Sequence, residues 1–183
     1  MRKAQGKRKT KEVDITLELD IDGTGNAQVK TGIRFLDHIL LTLAKHGLLD
    51  LKVQATGDLK HHISEDVALV LGEALNKAIN EGKGIKRFGS AYVPMDESLA
   101  RATVDLGGRA YIVRDLKLTQ VQIEDLKTED ISTCWWGNFG VDMSATLLCI
   151  GFALFSQRFV KTPQTPWVIV ILSTQFFIAS LGS

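Results

Sequence analysis

Val13-Asp14-Ile15-Thr16-Leu17-Glu18-Leu19 alternates apolar and polar residues without a break. A period of two marks a half-buried β-strand, with one face on a core and the other in water. Asp22-Gly23-Thr24-Gly25-Asn26 follows as a turn, and Ala27–Lys30 returns as a short second strand. The period then changes. From Ile33 to Lys45 the apolar residues Ile33, Leu36, Leu40, Leu43 and Ala44 fall at helical spacing, and Gly47 is placed to stop that helix. Leu49–Ala55 alternates again, and Ser64–Ile79 carries Val67, Leu71, Leu75 and Ala78 along one helical stripe. Two strands, a helix, a strand and a helix predict a sheet with both helices on one face.

The same pattern starts a second time. Leu17–Gly25 (LELDIDGTG) and Ala102–Ala110 (ATVDLGGRA) each run a strand into an Asp, an apolar residue and a Gly turn, with Asp20 and Asp105 85 positions apart. The fold class expected is α/β (α+β): two related β-β-α-β-α halves, helices on one face of a mixed sheet, the second half divergent or disrupted. A helix matching Ile33–Lys45 should begin in the 120s or 130s, and another about 25 residues later. The chain divides into a first half at 1–92, the start of a second at 93–132, and an atypical apolar tail at 133–183.

Composition bounds the partners. In 183 residues, 22 Lys and Arg stand against 21 Asp and Glu, a net charge of +1 that gives no general case for nucleic acid or anionic lipid. Cys134 and Cys149 do not make a disulfide framework, and no apolar stretch follows the basic residues 1–11, so a cytoplasmic protein is expected. The basic head (Arg2, Lys3, Lys7, Arg8, Lys9, Lys11) reads first as a frayed, solvated terminus and second as a phosphate contact. Residues 134–183 carry only three charges, Asp142, Arg158 and Lys161, around apolar runs at Met143–Phe155 and Trp167–Leu181. Both runs are shorter than the roughly 20 residues of a spanning helix, which argues against a membrane protein.

All four histidines, His38, His46, His61 and His62, lie within 25 residues of one another. Imidazole and carboxylate together suit divalent transition metals. On a helix starting by His61, His61 and Glu65 are at i and i+4, as are His62 and Asp66, while His62 and Glu65 are at i and i+3. The plainer reading is an exposed pair of histidines, with Glu65 and Asp66 merely favouring the positive end of a helix. Spacing alone leaves both open.

The ordered segments TKEVDITLELDIDGTG, GIRFLDHILLTLAKHGLLDLKVQATGDL, HHISEDVALVLGEAL, GIKRFGSAYVPMDESL and DLGGRAYIV resemble imidazoleglycerol-phosphate dehydratase over residues 10–131. The resemblance implies a hydro-lyase of histidine biosynthesis that dehydrates D-erythro-imidazoleglycerol phosphate to imidazoleacetol phosphate. It implies manganese, two ions per site, on His38, His61, His62 and Glu65. It makes Glu12 the catalytic proton carrier in contact with substrate, His46 a substrate contact, and Arg87 and Arg109 the holders of the phosphate. It also implies a homo-oligomer of 24 subunits with sites at subunit contacts. Asp96 and Glu97 fall in a family signature without an assigned role. One departure is a loop with Lys60 alone between Gly57-Asp58-Leu59 and His61, shorter than in many members.

A second departure is larger. The family's second half brings its own His and its own His-His-x-x-Glu, yet here Thr133 stands where a ligand is expected and no histidine follows His62. We read the tail as an out-of-frame translation of a normal dehydratase end, with a divergent terminus or a re-entrant hairpin as the alternatives. Two functions follow from this: the lyase, active or not in this form, and a non-catalytic metal-binding or interaction protein derived from it.

Overall fold

A computed structural model describes residues 2–79, 87–95, 98–106, 113–115, 121–133 and 167–171. The first half runs β1 (Lys3–Lys9), β2 (Val13–Asp20), β3 (Ala27–Lys30), α1 (Arg34–Gly47), β4 (Asp50–Gly57) and α2 (Lys60–Ala78). The sheet order is β1-β2-β4-β3, antiparallel except for the parallel β3–β4 pair. Val13, Ile15, Leu17 and Leu19 of β2 are buried with Leu51, Val53 and Ala55 of β4, while Thr16, Glu18, Lys52 and Gln54 are exposed. Among the described residues only one face of the sheet is covered, and both helices cover it, as the alternation predicts. Leu36, Leu40 and Leu43 of α1 and Val67, Leu71 and Leu75 of α2 complete the core.

The basic head is not frayed. It forms β1, pairing antiparallel with β2 along its whole length. Its charges meet acids nearby: Arg2–Asp22 at 2.6 Å, Lys3–Asp20 at 3.1 Å and Arg8–Asp66 at 2.8 Å. Gly6 is buried because a Cβ there would collide with Val70 of α2. The end of α1 also differs in detail. Gly47 is the last helical residue, and the left-handed step falls on Leu48 (φ 54°), which remains exposed while Leu49 turns into the core. The second helix begins at Lys60, four residues before Ser64.

The second half contains β5 (Phe88–Met95), β6 (Ser98–Asp105), β7 (Val113–Asp115), a hairpin of β8 (Gln122–Ile123) and β9 (Leu126–Lys127), and α3 (Thr128–Thr133). β5 straddles the 92/93 boundary. Lys3 pairs with Asp20 in β1–β2, and Phe88 with Asp105 in β5–β6, so a shift of 85 maps one register onto the other. The same shift carries β3 onto β7, and α3 starts within the expected range. The later helix of that repeat lies outside the described residues.

β10 (Trp167–Ile171) sits between β6 and β7, where β4 sits between β2 and β3, but it runs the other way. It is parallel to β6 and antiparallel to β7, whereas β4 is antiparallel to β2 and parallel to β3. The apolar run Met143–Phe155 lies outside the described residues. Among the described residues no helix is long and apolar enough to cross a membrane.

Candidate functional site

One corner of the first half gathers Glu12, His61, His62 and Glu65, four of the eight site residues expected above. The link from β1 to β2 is tight: Thr10 Oγ1 accepts from the backbone N–H groups of Glu12 and Val13, each at 3.1 Å. This turn sets Glu12 immediately before β2 with its side chain exposed. Gly57, ending β4, lies against it. A Cβ on Gly57 would stand 2.8 Å from the Glu12 carbonyl oxygen and 2.8 Å from Ile63 Cγ1. With no side chain there, the Asp58 N–H donates to the Glu12 carbonyl at 3.0 Å, and the first turn of α2 comes alongside.

That turn carries His61 and His62, both half-buried, their ring centroids 4.1 Å apart and their planes at 62°. His62 Nδ1 lies 2.8 Å from Asp58 Oδ1 and 4.0 Å from Glu12 Oε2. The hydrogen bond to Asp58 holds the His62 imidazole above its usual pKa; partial desolvation opposes it, and the Glu12 and Glu65 charges reinforce it. The same bond leads in holding the Asp58 carboxyl below the usual carboxylate range. Glu65, half-buried, thus lies within electrostatic reach of His62. Asp66 does not join this group: it is buried, and Arg8 Nε of β1 takes its Oδ1 at 2.8 Å. Helical spacing paired Asp66 with His62, but a basic strand crossing the helix claims it first.

His38 is exposed one turn into α1. The start of that helix is held from two sides. Asp37 Oδ1 accepts from Thr31 N at 2.8 Å and Thr31 Oγ1 at 2.7 Å. Asp125, in the β8–β9 hairpin, accepts from the N–H groups of Arg34 at 3.0 Å and Phe35 at 3.1 Å. Ile33, at the cap position, supplies no side-chain bond of its own, so the cap comes from 90 residues along the chain. His46 is exposed in the last turn of α1. Arg87 is exposed just before β5, its guanidinium 4.9 Å from the Phe88 ring centroid. Arg109, Asp96 and Glu97 lie outside the described residues.

The structure therefore brings Glu12, His61, His62 and Glu65 to one corner and leaves His38 and His46 on another helix. Among the described residues no three His, Cys, Asp or Glu side chains converge on a common point. The donor types fit a divalent transition metal. Sequence reasoning missed Asp58 and Asp125. Asp58 stands four residues before His62, a spacing that could have been read; Asp125 has no local signal.

A family model described as imidazoleglycerol-phosphate dehydratase matches residues 31–150, so the match continues through residues 133–150, past the point where the resemblance was expected to stop. A protein of that name from Thermoanaerobacter sp. (strain X514) is 50% identical over 154 residues, spanning 81% of this chain and 79% of that protein. One from Methanococcoides burtonii is 50% identical over 132 residues, 70% of this chain and 69% of that protein. Among solved structures, imidazoleglycerol-phosphate dehydratase from Staphylococcus aureus subsp. aureus N315 superposes with a TM-score of 0.67 at 28% identity, covering 83% of this chain and 95% of that one. The Pyrococcus furiosus structure, a complex with (S)-C348, gives 0.61 at 29% identity over 81% and 90%.

Proposed function

The chain belongs to the imidazoleglycerol-phosphate dehydratase family, hydro-lyases of histidine biosynthesis, and from that premise we propose how its own residues serve the dehydration of D-erythro-imidazoleglycerol phosphate. The observation that carries the reading is the corner itself, where an exposed carboxylate, Glu12, stands 4.0 Å from an imidazole nitrogen of a paired His61–His62. His38, His61, His62 and Glu65 are the metal ligands of this proposal, with manganese as the ion and two ions in a complete site. A bound divalent ion supplies an electrophile that stabilises the substrate imidazole as its anion.

The remaining work falls to side chains. Glu12 takes the proton from the second carbon out from the ring while the hydroxyl on the carbon next to the ring leaves as water, and the resulting enol becomes the ketone by gaining a proton at the carbon next to the ring. Arg87 and Arg109 hold the phosphate through paired charge-assisted bonds, and His46 contacts the substrate. Because ligands come together only in part within the described residues, the complete site draws on other segments or on further copies in a homo-oligomer, of 24 subunits as the family reading implies. The proposal places the chain in the cytoplasm and divides it at 1–92, 93–132 and 133–183. The test is turnover of imidazoleglycerol phosphate by purified chain with manganese and with chelator. Metal-dependent formation of imidazoleacetol phosphate supports the reading. Folded chain that binds manganese without turnover would instead leave a non-catalytic metal-binding protein.

A further inference from the structure

Two carboxylates compete for one nitrogen at the corner of the site. His62 Nδ1 is 2.8 Å from Asp58 Oδ1 and 4.0 Å from Glu12 Oε2, so only Asp58 is at hydrogen-bonding distance. The Asp58 oxygen is itself fixed, because the same Oδ1 accepts from the Leu59 N–H at 2.7 Å, while the Asp58 N–H is anchored to the Glu12 carbonyl at 3.0 Å. An ionised carboxylate only accepts, so the proton on this side of the ring must sit on Nδ1. In the neutral imidazole, Nε2 is then the nitrogen with a free lone pair.

We propose that Asp58 is a positioning residue that fixes the Nδ1–H tautomer of His62, presents Nε2 to the metal and keeps the ring off Glu12. The proposal rests on the reading of His62 as a ligand. It depends on the short link of this chain: Lys60 alone separates Gly57-Asp58-Leu59 from His61, and α2 begins at Lys60. This puts Asp58 at i and His62 at i+4, in phase across the first turn; one added residue would take the carboxylate out of phase. Glu12 is left unengaged by the ring and available for proton transfer. Without Asp58, Glu12 Oε2 at 4.0 Å would be a carboxylate the Nδ1–H could turn to, tying a proposed ligand to the proposed proton carrier.

Metal-free chain labelled with 15N at histidine tests this by long-range 1H–15N correlation, at a pH where the ring is neutral. Wild type should show His62 protonated at Nδ1. D58N, which keeps an acceptor oxygen, should retain that tautomer, and D58A should lose it. E12Q should leave it unchanged, and this variant carries the test even if D58A does not fold. Manganese titration followed by electron paramagnetic resonance should show D58A binding about 10–100-fold more weakly, as orienting partners of metal-bound histidines generally do, with D58N close to wild type. A His62 protonated at Nε2 in wild type, an unchanged tautomer in D58A, or a shift caused by E12Q would overturn the proposal. An Nδ1–H ring in a chain that binds no manganese would leave the action of Asp58 standing and remove the ligand reading beneath it.

Discussion

Substituting Asp125 by Ala removes the carboxylate that caps α1, the helix that carries His38, from a hairpin 90 residues away. Loss of an N-cap side chain costs about 0.5–2 kcal/mol. A carboxylate at a helix N-terminus contributes about 0.3–1 kcal/mol, overlapping with the cap. Lys60 Nζ, 3.0 Å from the Asp125 carbonyl and 3.4 Å from its carboxylate, is half-exposed and adds at most about 1 kcal/mol. D125A should therefore lose about 1.5 kcal/mol in urea unfolding at neutral pH with an unchanged m-value, which for a chain of this size lowers Tm by about 3–6 °C. D125N, keeping an acceptor but not the charge, should lose about half as much. Burial pushes the Asp125 carboxyl up, but the N–H groups of Phe35 and Arg34 and the Lys60 ammonium together hold it below its usual range. Its stabilisation is thus present above the unfolded value of about 3.9 and is lost as pH falls through the folded one, so wild type and D125A should converge in acid. A D125A chain within about 0.3 kcal/mol of wild type at neutral pH would refute the cap as a source of stability.

Other outcomes follow from the same contacts. Gly57→Ala would press a methyl group against the Glu12 carbonyl and Ile63, at 2.8 Å from each, and should cost about 1–3 kcal/mol by urea unfolding. Leu71→Ala, at a fully buried position, should cost about 2–5 kcal/mol in the same assay. Arg8→Ala strips the partner from buried Asp66 and should destabilise by about 1–3 kcal/mol, whereas Lys52→Ala, whose exposed pair with Glu18 spans 3.7 Å, should change stability by less than about 0.5 kcal/mol. In metal-free chain the His62 ring should titrate above about 6.5 by NMR. Its pairing with Asp58 therefore contributes fully below that value and fades as pH rises through the raised pKa; D58A should bring the midpoint down.

Much of the first half was legible because one physical rule governs it. VDITLEL buries every second residue, and β2 appears where that pattern stands. β1 escaped because Lys3–Lys9 has no apolar alternation: Ala4, Gly6 and Arg8 share the face toward α2, where Arg8 meets Asp66 and Gly6 is buried by the approach of Val70 rather than by any apolar side chain of its own. Of the site, the His61-His62 pair and Glu65 were legible from helical spacing. Spacing left the role of Asp66 open, because it says nothing of Arg8 on a strand crossing the helix. Asp58 and Asp125 act through loop geometry and a long-range contact, and neither leaves a periodic trace.

Two strand pairs that share a register also share a vulnerability. Because β1–β2 and β5–β6 superpose under a shift of 85 residues, backbone alignment cannot tell β1 from β5 as the partner of β2. Discrimination falls to side chains: Lys3 and Lys9 of β1 pair with Asp20 and Asp14 of β2, where β5 has Phe88 and Pro94 at the corresponding positions. Until those exposed pairs have formed, a chain is open to exchanging strands with a neighbour while it folds, at concentrations where two chains meet before each closes on itself. The histidine-bearing turn would survive such an exchange, since α2 and β4 stay in place, but Arg8 would arrive on Asp66 from a second molecule.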